Sequence, residues 1–455
     1  MAWNVPGTLL RALACVALAA GVHQITPGPE TLRAGLALFA LIGGLWVTQA
    51  LHLSVTALLV PLLAVAAGLM SFREALASFA HPIIFLFLGG FALAAALQRQ
   101  GLDRALALAV LRLAAGRRAL AVALLFGLTA LLSMWISNTA TAAMVLPMAL
   151  GLLREDENDR GDASGIGPRE KVFVLLGVAY SASIGGIGTL VGSPPNAIAA
   201  AQAGIGFAEW MRFGVPLVLL LLPLMVAVLY GLLRPRLGGR LKLADEPFEW
   251  TPGRRTTLVI FVLTAAGWMA GEPLGRALGI AADMDSWVAV AAIVALVASR
   301  VMDWETIERQ THWGVLLLFG GGLALSQVMQ VSGASRFLAD GLVAAMHGAS
   351  TLWLLLGVVS FVVFLTELVS NTASAALMVP IFLGVAQALG LPAPLLAVAI
   401  AVAASCAFML PVATPPNAIV FATNEVPQAT MMRCGLVLNL ACITVIVAVA
   451  SVVYS

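Results

Sequence analysis

The tripeptide Ser-Asn-Thr occurs twice, as Ser137-Asn138-Thr139 and Ser370-Asn371-Thr372, each deep in apolar sequence. Each is answered downstream by Pro-Pro-Asn, at 194–196 and 415–417. Small hydroxyl and amide side chains at a point where a helix must break offer hard oxygen ligands to a cation, and the freed N–H groups of a helix start can meet an anion. Oxygens of this kind without a cluster of carboxylates suit a monovalent ion such as sodium better than a divalent one. The tracts around both motifs lack Lys and Arg. An anion held there takes its countercharge from helix N-termini and from co-bound cations. The pattern implies cation-coupled anion transport.

The elements that must position these motifs lie in a membrane. Of 455 residues, 61% are hydrophobic and 10% charged, with a mean hydropathy of +1.02. Soluble domains carry roughly 25% charged residues, so a soluble fold is excluded and an all-α polytopic membrane protein of about 11 transmembrane helices is expected. Spans fall near 8–24, 34–51, 54–70, 83–97, 213–233, 256–272, 284–299, 312–330 and 434–454. The first is read as a membrane helix rather than a signal peptide, because it lacks a basic start and a cleavage site. Four longer tracts cannot be single unbroken crossings. Residues 119–153 are uncharged over 35 positions, ~52 Å as helix, with basic or mixed charge at both ends. They are expected to form a re-entrant hairpin turning at 137–139, and 350–390 a second hairpin turning at 370–372. Residues 172–208 and 393–424 must break where Gly192-Ser193-Pro194-Pro195 and Ala413-Thr414-Pro415-Pro416 remove N–H groups.

The chain reads as two copies of one unit. Phe85–Leu93 resembles Leu317–Leu325, Gly90 and Gly101 match Gly322 and Gly333, and the Ser-Asn-Thr and Pro-Pro-Asn motifs follow in the same order. Eighteen Lys and Arg, among them Arg99, Arg117, Arg118, Arg254 and Arg300, gather on one side, against Arg33, Arg73, Arg212, Arg276 and Arg336 on the other. The first side is therefore cytoplasmic, with the N-terminus. On that assignment the two units enter from opposite faces, as inverted repeats whose site lies near the midplane. The expected organisation is N-terminal scaffold helices at 1–82, a first repeat at 83–236, scaffold helices and loops at 237–311, and a second repeat at 312–455. Arg99–Arg118 has Leu102, Leu106, Ala109 and Leu113 on one stripe and suits a helix lying in the membrane surface, with Gly333–Gly348 as its partner. The charged segments 154–171 and 234–255 read as solvated connections.

The paired Ser-Asn-Thr motifs, with Gly-Ser-Pro-Pro-Asn at 192–196 and Ala-Thr-Pro-Pro-Asn at 413–417, resemble the divalent anion:sodium symporter family, from Trp46 through Pro82–Leu102 to Asn417. The resemblance implies a homodimer whose transport domain moves as an elevator against a scaffold in the lipid bilayer. It also implies at least two sodium ions. The first sodium site would comprise Ser133, Ser137, Asn138 and Gly192, and the second Thr366, Ser370, Asn371 and Ala413. Ser133 and Thr366 each precede their motif by one helical turn, which agrees with such a site. Substrate carboxylates would be held at Ser137, Asn138, Thr139, Ser370, Asn371 and Thr372, with Pro415 lining the pocket. Two departures stand out: Ser193 where the family commonly has Thr, and Gln49 and His52 within Trp46–His52.

On this reading the substrate is a small dicarboxylate such as succinate, malate or fumarate, carried with sodium across a bacterial inner membrane. Sulfate or citrate symport and sodium-independent exchange are the alternatives. Glu367 is read either as a coupling or pH-sensing group or as an acceptor for nearby N–H groups. His81 and His312 are expected at helix ends. The four cysteines are scattered small hydrophobes, nothing marks a nucleic-acid surface, and no hydrolase motif is present, so an enzyme is not expected.

Overall fold

The structure is a computed structural model that describes residues 5–154, 167–238, 248–280, 282–346 and 350–453. Most of the charged 154–171 connection, residues 239–247 of the 234–255 loop, the first four residues, and Gly348 at the end of the second arm lie outside these residues. Among the described residues there are helices and no strands, and 8 helices are long and apolar enough to cross a membrane. Both re-entrant hairpins are present. Arg118–Ser133 and Asn138–Arg154 form the first, and Thr351–Thr366 and Asn371–Ala388 the second. Each limb has 16 to 18 residues, and a four-residue turn joins the two.

Both long downstream tracts break as their prolines require. Pro168–Gly185 ends in a single 3₁₀ turn, Gly186–Gly188, and an extended stretch leads to Pro194–Ala203. Ala393–Ser405 ends without such a turn, an irregular stretch follows, and helix resumes at Pro415–Phe421. Proline sits at the first helical position of each resumed segment, where its missing N–H costs nothing and its fixed φ favours the helix. The two repeats interlock through these breaks. Pro194–Ala203 packs on Ala393–Ser405 and Asn371–Ala388, while Pro415–Phe421 packs on Pro168–Gly185 and Asn138–Arg154.

The duplication reaches further upstream than the string matches at 83 and 312. Leu53–Ala66 packs on Trp313–Val331, and Met284–Ala298 packs on Pro82–Arg99. Ser54 Oγ donates to the Gly314 carbonyl at 3.4 Å, and Ser286 Oγ to the Pro82 carbonyl at 2.7 Å. Both members of this crossed pair are displaced by the same amount, since 286 − 54 and 314 − 82 are each 232. Gly321 lies against Ala57 as Gly89 lies against Ala289, again 232 apart. Trp46 Nε1 donates to the Leu53 carbonyl at 3.2 Å, and Trp268 Nε1 to the Asp285 carbonyl at 2.9 Å. Ser71 and Asp303, also 232 apart, cap the short helices Phe72–Ala77 and Trp304–Gln310. The Arg99 guanidinium beside Asp303 holds that carboxyl well below the usual carboxylate range. Sequence alone hides this correspondence because helix faces turned to lipid drift freely among apolar residues, whereas close contacts and caps do not.

Counting Glu30–Thr48, Leu53–Ala66, Phe72–Arg99, the broken Pro168–Ala203 and Phe207–Leu233 as crossings gives five, an odd number, so the second copy starts from the opposite face. The first helix, Val5–Ile25, stands outside the duplication against Glu30–Thr48 and turns Leu9, Leu10 and Leu13 outward. The arm Leu102–Arg112 buries Leu102, Ala107 and Leu111. Of the stripe expected to be its apolar face, Leu106, Ala109 and Leu113 are exposed, and the arm packs on the first hairpin near Ala107, which joins Leu128, Leu132 and Ile136.

A Cβ at Gly89 would meet the Ala289 backbone at 2.9 Å, and one at Gly321 the Ala57 backbone at 2.7 Å. Gly89→Val and Gly321→Val are each expected to destabilise the protein by about 1–3 kcal/mol. Thermal unfolding in detergent checks this; the crossed packing requires the two losses to be similar.

Candidate functional site

Each Ser-Asn-Thr serine is the cap of the hairpin's second limb. Ser137 Oγ accepts from the Ala140 N–H at 3.3 Å, and Ser370 Oγ from the Ala373 N–H at 3.2 Å. This satisfies one of the orphan donors that every helix start exposes, and explains why a serine opens both turns. The asparagines then begin the limb and turn their amides back toward the end of the preceding limb.

There the two copies agree in detail. Ser133 Oγ lies 2.7 Å from both Asn138 Oδ1 and the Ala182 carbonyl. Thr366 Oγ1 lies 2.8 Å from both Asn371 Oδ1 and the Ala404 carbonyl. Ser133 and Thr366 are fully buried. A hydroxyl has one hydrogen, so each can satisfy only one of the two oxygens it faces. In the first cluster the crowding is greater, because the Asn138 oxygen position is also 3.1 Å from the Ala182 carbonyl and 3.2 Å from the Gly192 carbonyl. Four oxygens converge there. Two arrangements relieve the repulsion: a cation among the oxygens, or rotation of the Asn138 amide so that its nitrogen donates to the same atoms.

The break loops are held by the Pro-Pro-Asn asparagines. Asn196 Nδ2 donates to the Gly186 carbonyl at 2.8 Å and the Thr189 carbonyl at 2.7 Å. Asn417 Nδ2 donates to the Ala407 and Leu410 carbonyls, each at 3.1 Å. Both asparagines are fully buried. Backbone groups freed inside hydrocarbon must find partners within the protein, and one amide gathers two carbonyls of each break. The last helix of each repeat closes the other side: Gly214 lies against the Ile187 carbonyl and Gly435 against the Phe408 carbonyl, so close that a Cβ would stand 2.6 Å and 2.3 Å from those oxygens. Ser193 Oγ and Ser405 Oγ, 3.4 Å apart, join the two broken helices where they cross. Ser193 keeps a hydroxyl at that contact.

Glu367 departs from the symmetry. Its carboxylate accepts from the N–H groups of Phe408, Met409 and Leu410 at 2.7, 2.9 and 3.1 Å, and from Asn439 Nδ2 at 2.7 Å. Of the two readings open from sequence, the structure shows the acceptor of nearby N–H groups. The corresponding residue of the first hairpin is Met134, whose carbonyl accepts from Thr189 Oγ1. His81 is at a helix end, where its ring accepts from the Ile83 N–H at 3.3 Å, and His312 precedes Trp313–Val331.

Thus Ser133, Asn138 and Gly192 come together, as do Thr366 and Asn371. Ser137 and Ser370 are committed to caps through their hydroxyls. Ala413 stands on the second break loop, its N–H on the Leu410 carbonyl at 3.2 Å. Thr139 and Pro415 are exposed, and Asn138, Asn371 and Thr372 half-buried. The carbonyls of Ala182 and Ala404, and the clamps made by Asn196, Asn417 and Glu367, were not singled out from sequence as site residues. The repeated placement of the two asparagines directly after Pro-Pro was a usable signal for the clamps; a backbone carbonyl leaves none.

Comparison with known proteins places this geometry. Residues 44–403 match the family described as "Citrate transporter". A sodium-dependent dicarboxylate transporter, SdcS, of Staphylococcus saprophyticus is 35% identical over 91% of this chain and 84% of its own length. The chain belongs to this family, the divalent anion:sodium symporters. An uncharacterized transporter of Haemophilus influenzae is 49% identical over 93% of this chain and 92% of its own. In fold, the chain is similar to the YdaH transporter of Alcanivorax borkumensis, with a TM-score of 0.57 at 15% identity over 83% of this chain and 86% of that one. The protein is an integral membrane transporter and not an enzyme.

Replacing Asn196 or Asn417 by Leu strips buried carbonyls of their donor, at about 1–3 kcal/mol for each group left unpaired. Either substitution is expected to lower the melting temperature of detergent-solubilised protein far more than Ser193→Ala does.

Proposed function

We propose that this transporter carries a small dicarboxylate of the succinate, malate and fumarate class together with sodium, binding at least two ions, one at each hairpin. The observation that carries the reading is the pair of matched oxygen clusters, at Ser133–Asn138–Ala182–Gly192 and at Thr366–Asn371–Ala404. Sodium among these oxygens would supply the positive charge that the hairpins themselves lack. The exposed or half-buried Asn138, Thr139, Asn371, Thr372 and Pro415 then form the contact surface for the carboxylates. The helix starts beside Ser137 and Ser370 would add their N–H groups and dipoles. The sodium-dependent dicarboxylate relative at 35% identity supports this choice of ion and substrate. The family description favours citrate as the second reading.

The mechanism is an elevator working in a homodimer in the bacterial inner membrane, with the N-terminus in the cytoplasm. What supports movement is the unequal state of the two hairpins. Trp135, at the first turn, is stacked with Phe207 and Trp268 at centroid distances of 6.1 and 6.4 Å. Its counterpart at the second turn, Leu368, is 74% exposed. The tip of the first hairpin is packed on its neighbours and the tip of the second is open, an asymmetry of the kind alternating access asks of two inverted halves.

Uptake of labelled succinate into proteoliposomes, with and without a sodium gradient, tests the reading. Accumulation that follows the gradient is expected; accumulation that ignores sodium and needs internal dicarboxylate would replace symport by exchange. Uptake of citrate in preference to succinate would move the substrate to the second reading. Asn138→Ala and Asn371→Ala are each expected to weaken sodium dependence by about 10–100-fold while leaving folded protein. Normal coupled uptake in either variant would exclude its cluster as a sodium site.

A further inference from the structure

A cavity of about 860 Å³ opens between the arm Leu102–Arg112, the turn end of the first hairpin and the start of Pro252–Met269. Its deep wall is apolar and includes Leu132, Trp135, Ile136 and Phe261. Around its mouth stand Arg104, Arg112 and Arg254. Asp103, the acidic residue of the lining, is buried and accepts the Arg104 backbone N–H at 2.8 Å. Arg254 is fixed in place, its guanidinium 4.5 Å above the Phe248 ring and its Nε on the Gln100 carbonyl at 3.0 Å.

The inverted repeat supplies a control for this space. The equivalent arm, Ala334–Met346, packs directly on Glu30–Thr48 and Asn371–Ala388. The place corresponding to the cavity is filled there by Leu32, Leu36, Met329 and Ala334, with Phe39, Leu338 and Ile381 around them. Phe39 precedes Trp46 by seven residues, as Phe261 precedes Trp268, so the same helix face borders a filled core in one copy and a cavity in the other. The second arm, with Arg336 3.8 Å from Asp340, borders a filled core, and in the first copy Arg104, Arg112 and Arg254 border an open apolar slot.

We propose that this cavity binds an anionic phospholipid of the arginine-rich leaflet, its acyl chain against Trp135 and Phe261 and its phosphate among Arg104, Arg112 and Arg254. A strongly hydrated dianion has no partners on the apolar wall, and a neutral lipid has no use for three guanidinium groups. Hydrocarbon capped by phosphate satisfies both parts, and basic pockets between membrane helices on the cytoplasmic side are suited to such headgroups. The site is distinct from the oxygen clusters. Its occupant touches Trp135, the residue that docks the first hairpin, so the lipid would brace that hairpin in its docked position.

The test uses full-length protein, delipidated in mild detergent and titrated with phosphatidylglycerol or phosphatidylcholine of matched chains, with bound lipid counted by native mass spectrometry. Phosphatidylglycerol should bind at least tenfold more tightly than phosphatidylcholine. Arg104→Gln, Arg112→Gln and Arg254→Gln should each weaken it by about fivefold. Ala109→Trp, which fills the slot from the arm and removes no charge, should also abolish the preference, so the proposal stays testable if an arginine variant does not fold. Equal affinity for the two lipids would overturn it. So would retention unchanged in the arginine variants, or competition by glycerol phosphate as effective as by the whole lipid, since that would mark an anion site with no place for a chain.

Discussion

Every distinctive feature of this protein follows from one constraint: a helix interrupted inside hydrocarbon leaves peptide groups that no solvent can satisfy. Two hairpin turns and two breaks create that debt, and the chain answers each with a short-range device. Serine hydroxyls cap the limbs that begin at 138 and 371. The amides of Asn196 and Asn417 collect carbonyls within the breaks. Glu367 collects three consecutive N–H groups. What remains after these demands are met is an excess of oxygen near Ser133 and Thr366, where the proposed sodium ions would sit.

Glu367 shows how the copies diverged without losing the shared plan. In the first copy the break is a glycine-rich 3₁₀ turn, Gly186–Gly188, which folds tightly enough that Asn138 and Met134 approach it directly. The second copy has Ala407-Phe408-Met409 in the corresponding place. The bulkier residues leave three N–H groups pointing to one side, and a carboxylate takes them together. Its fourth bond, from Asn439 on the last helix, means that the acid is fully engaged as an acceptor. Tyr180 OH donates to the Phe408 carbonyl at 2.7 Å, so the first repeat also steadies the loop of the second.

Much of this was legible in the sequence. Apolar tracts with at most one charge, too long for one crossing, implied the hairpins and the broken helices, because rise per residue and bilayer thickness are fixed quantities. Repeated Ser-Asn-Thr and Pro-Pro-Asn located the turns because few residue types can cap or break a helix there. The correspondence of Glu30–Ala66 with Pro252–Ala298 was hidden, since it is kept by small contacts such as Gly89 on Ala289 and by indole bonds from Trp46 and Trp268, not by a string of identities. The carbonyls of Ala182 and Ala404 were hidden for another reason: every residue has a carbonyl, and only the path of the chain shows which ones converge.

The absence of fixed cationic side chains from the tips of both hairpins has an electrostatic logic on the sodium-coupled reading. A lysine or arginine at the tip would remain charged after the substrate left, and an empty carrier would then have to move a bare charge through low dielectric, at a cost of several kcal/mol or more. Oxygen clusters behave differently: they are neutral when empty and positive only while ions are bound. Two sodium ions and a dianion cancel, so both the loaded and the empty forms can cross with little net charge. A half-loaded form cannot, and that penalty couples the solute to the ions without any contact between distant sites. The same argument explains why Glu367 is tolerable at this depth. Its charge is spread over three peptide dipoles and an amide that stay with it in the break, and it faces the loop behind Thr366.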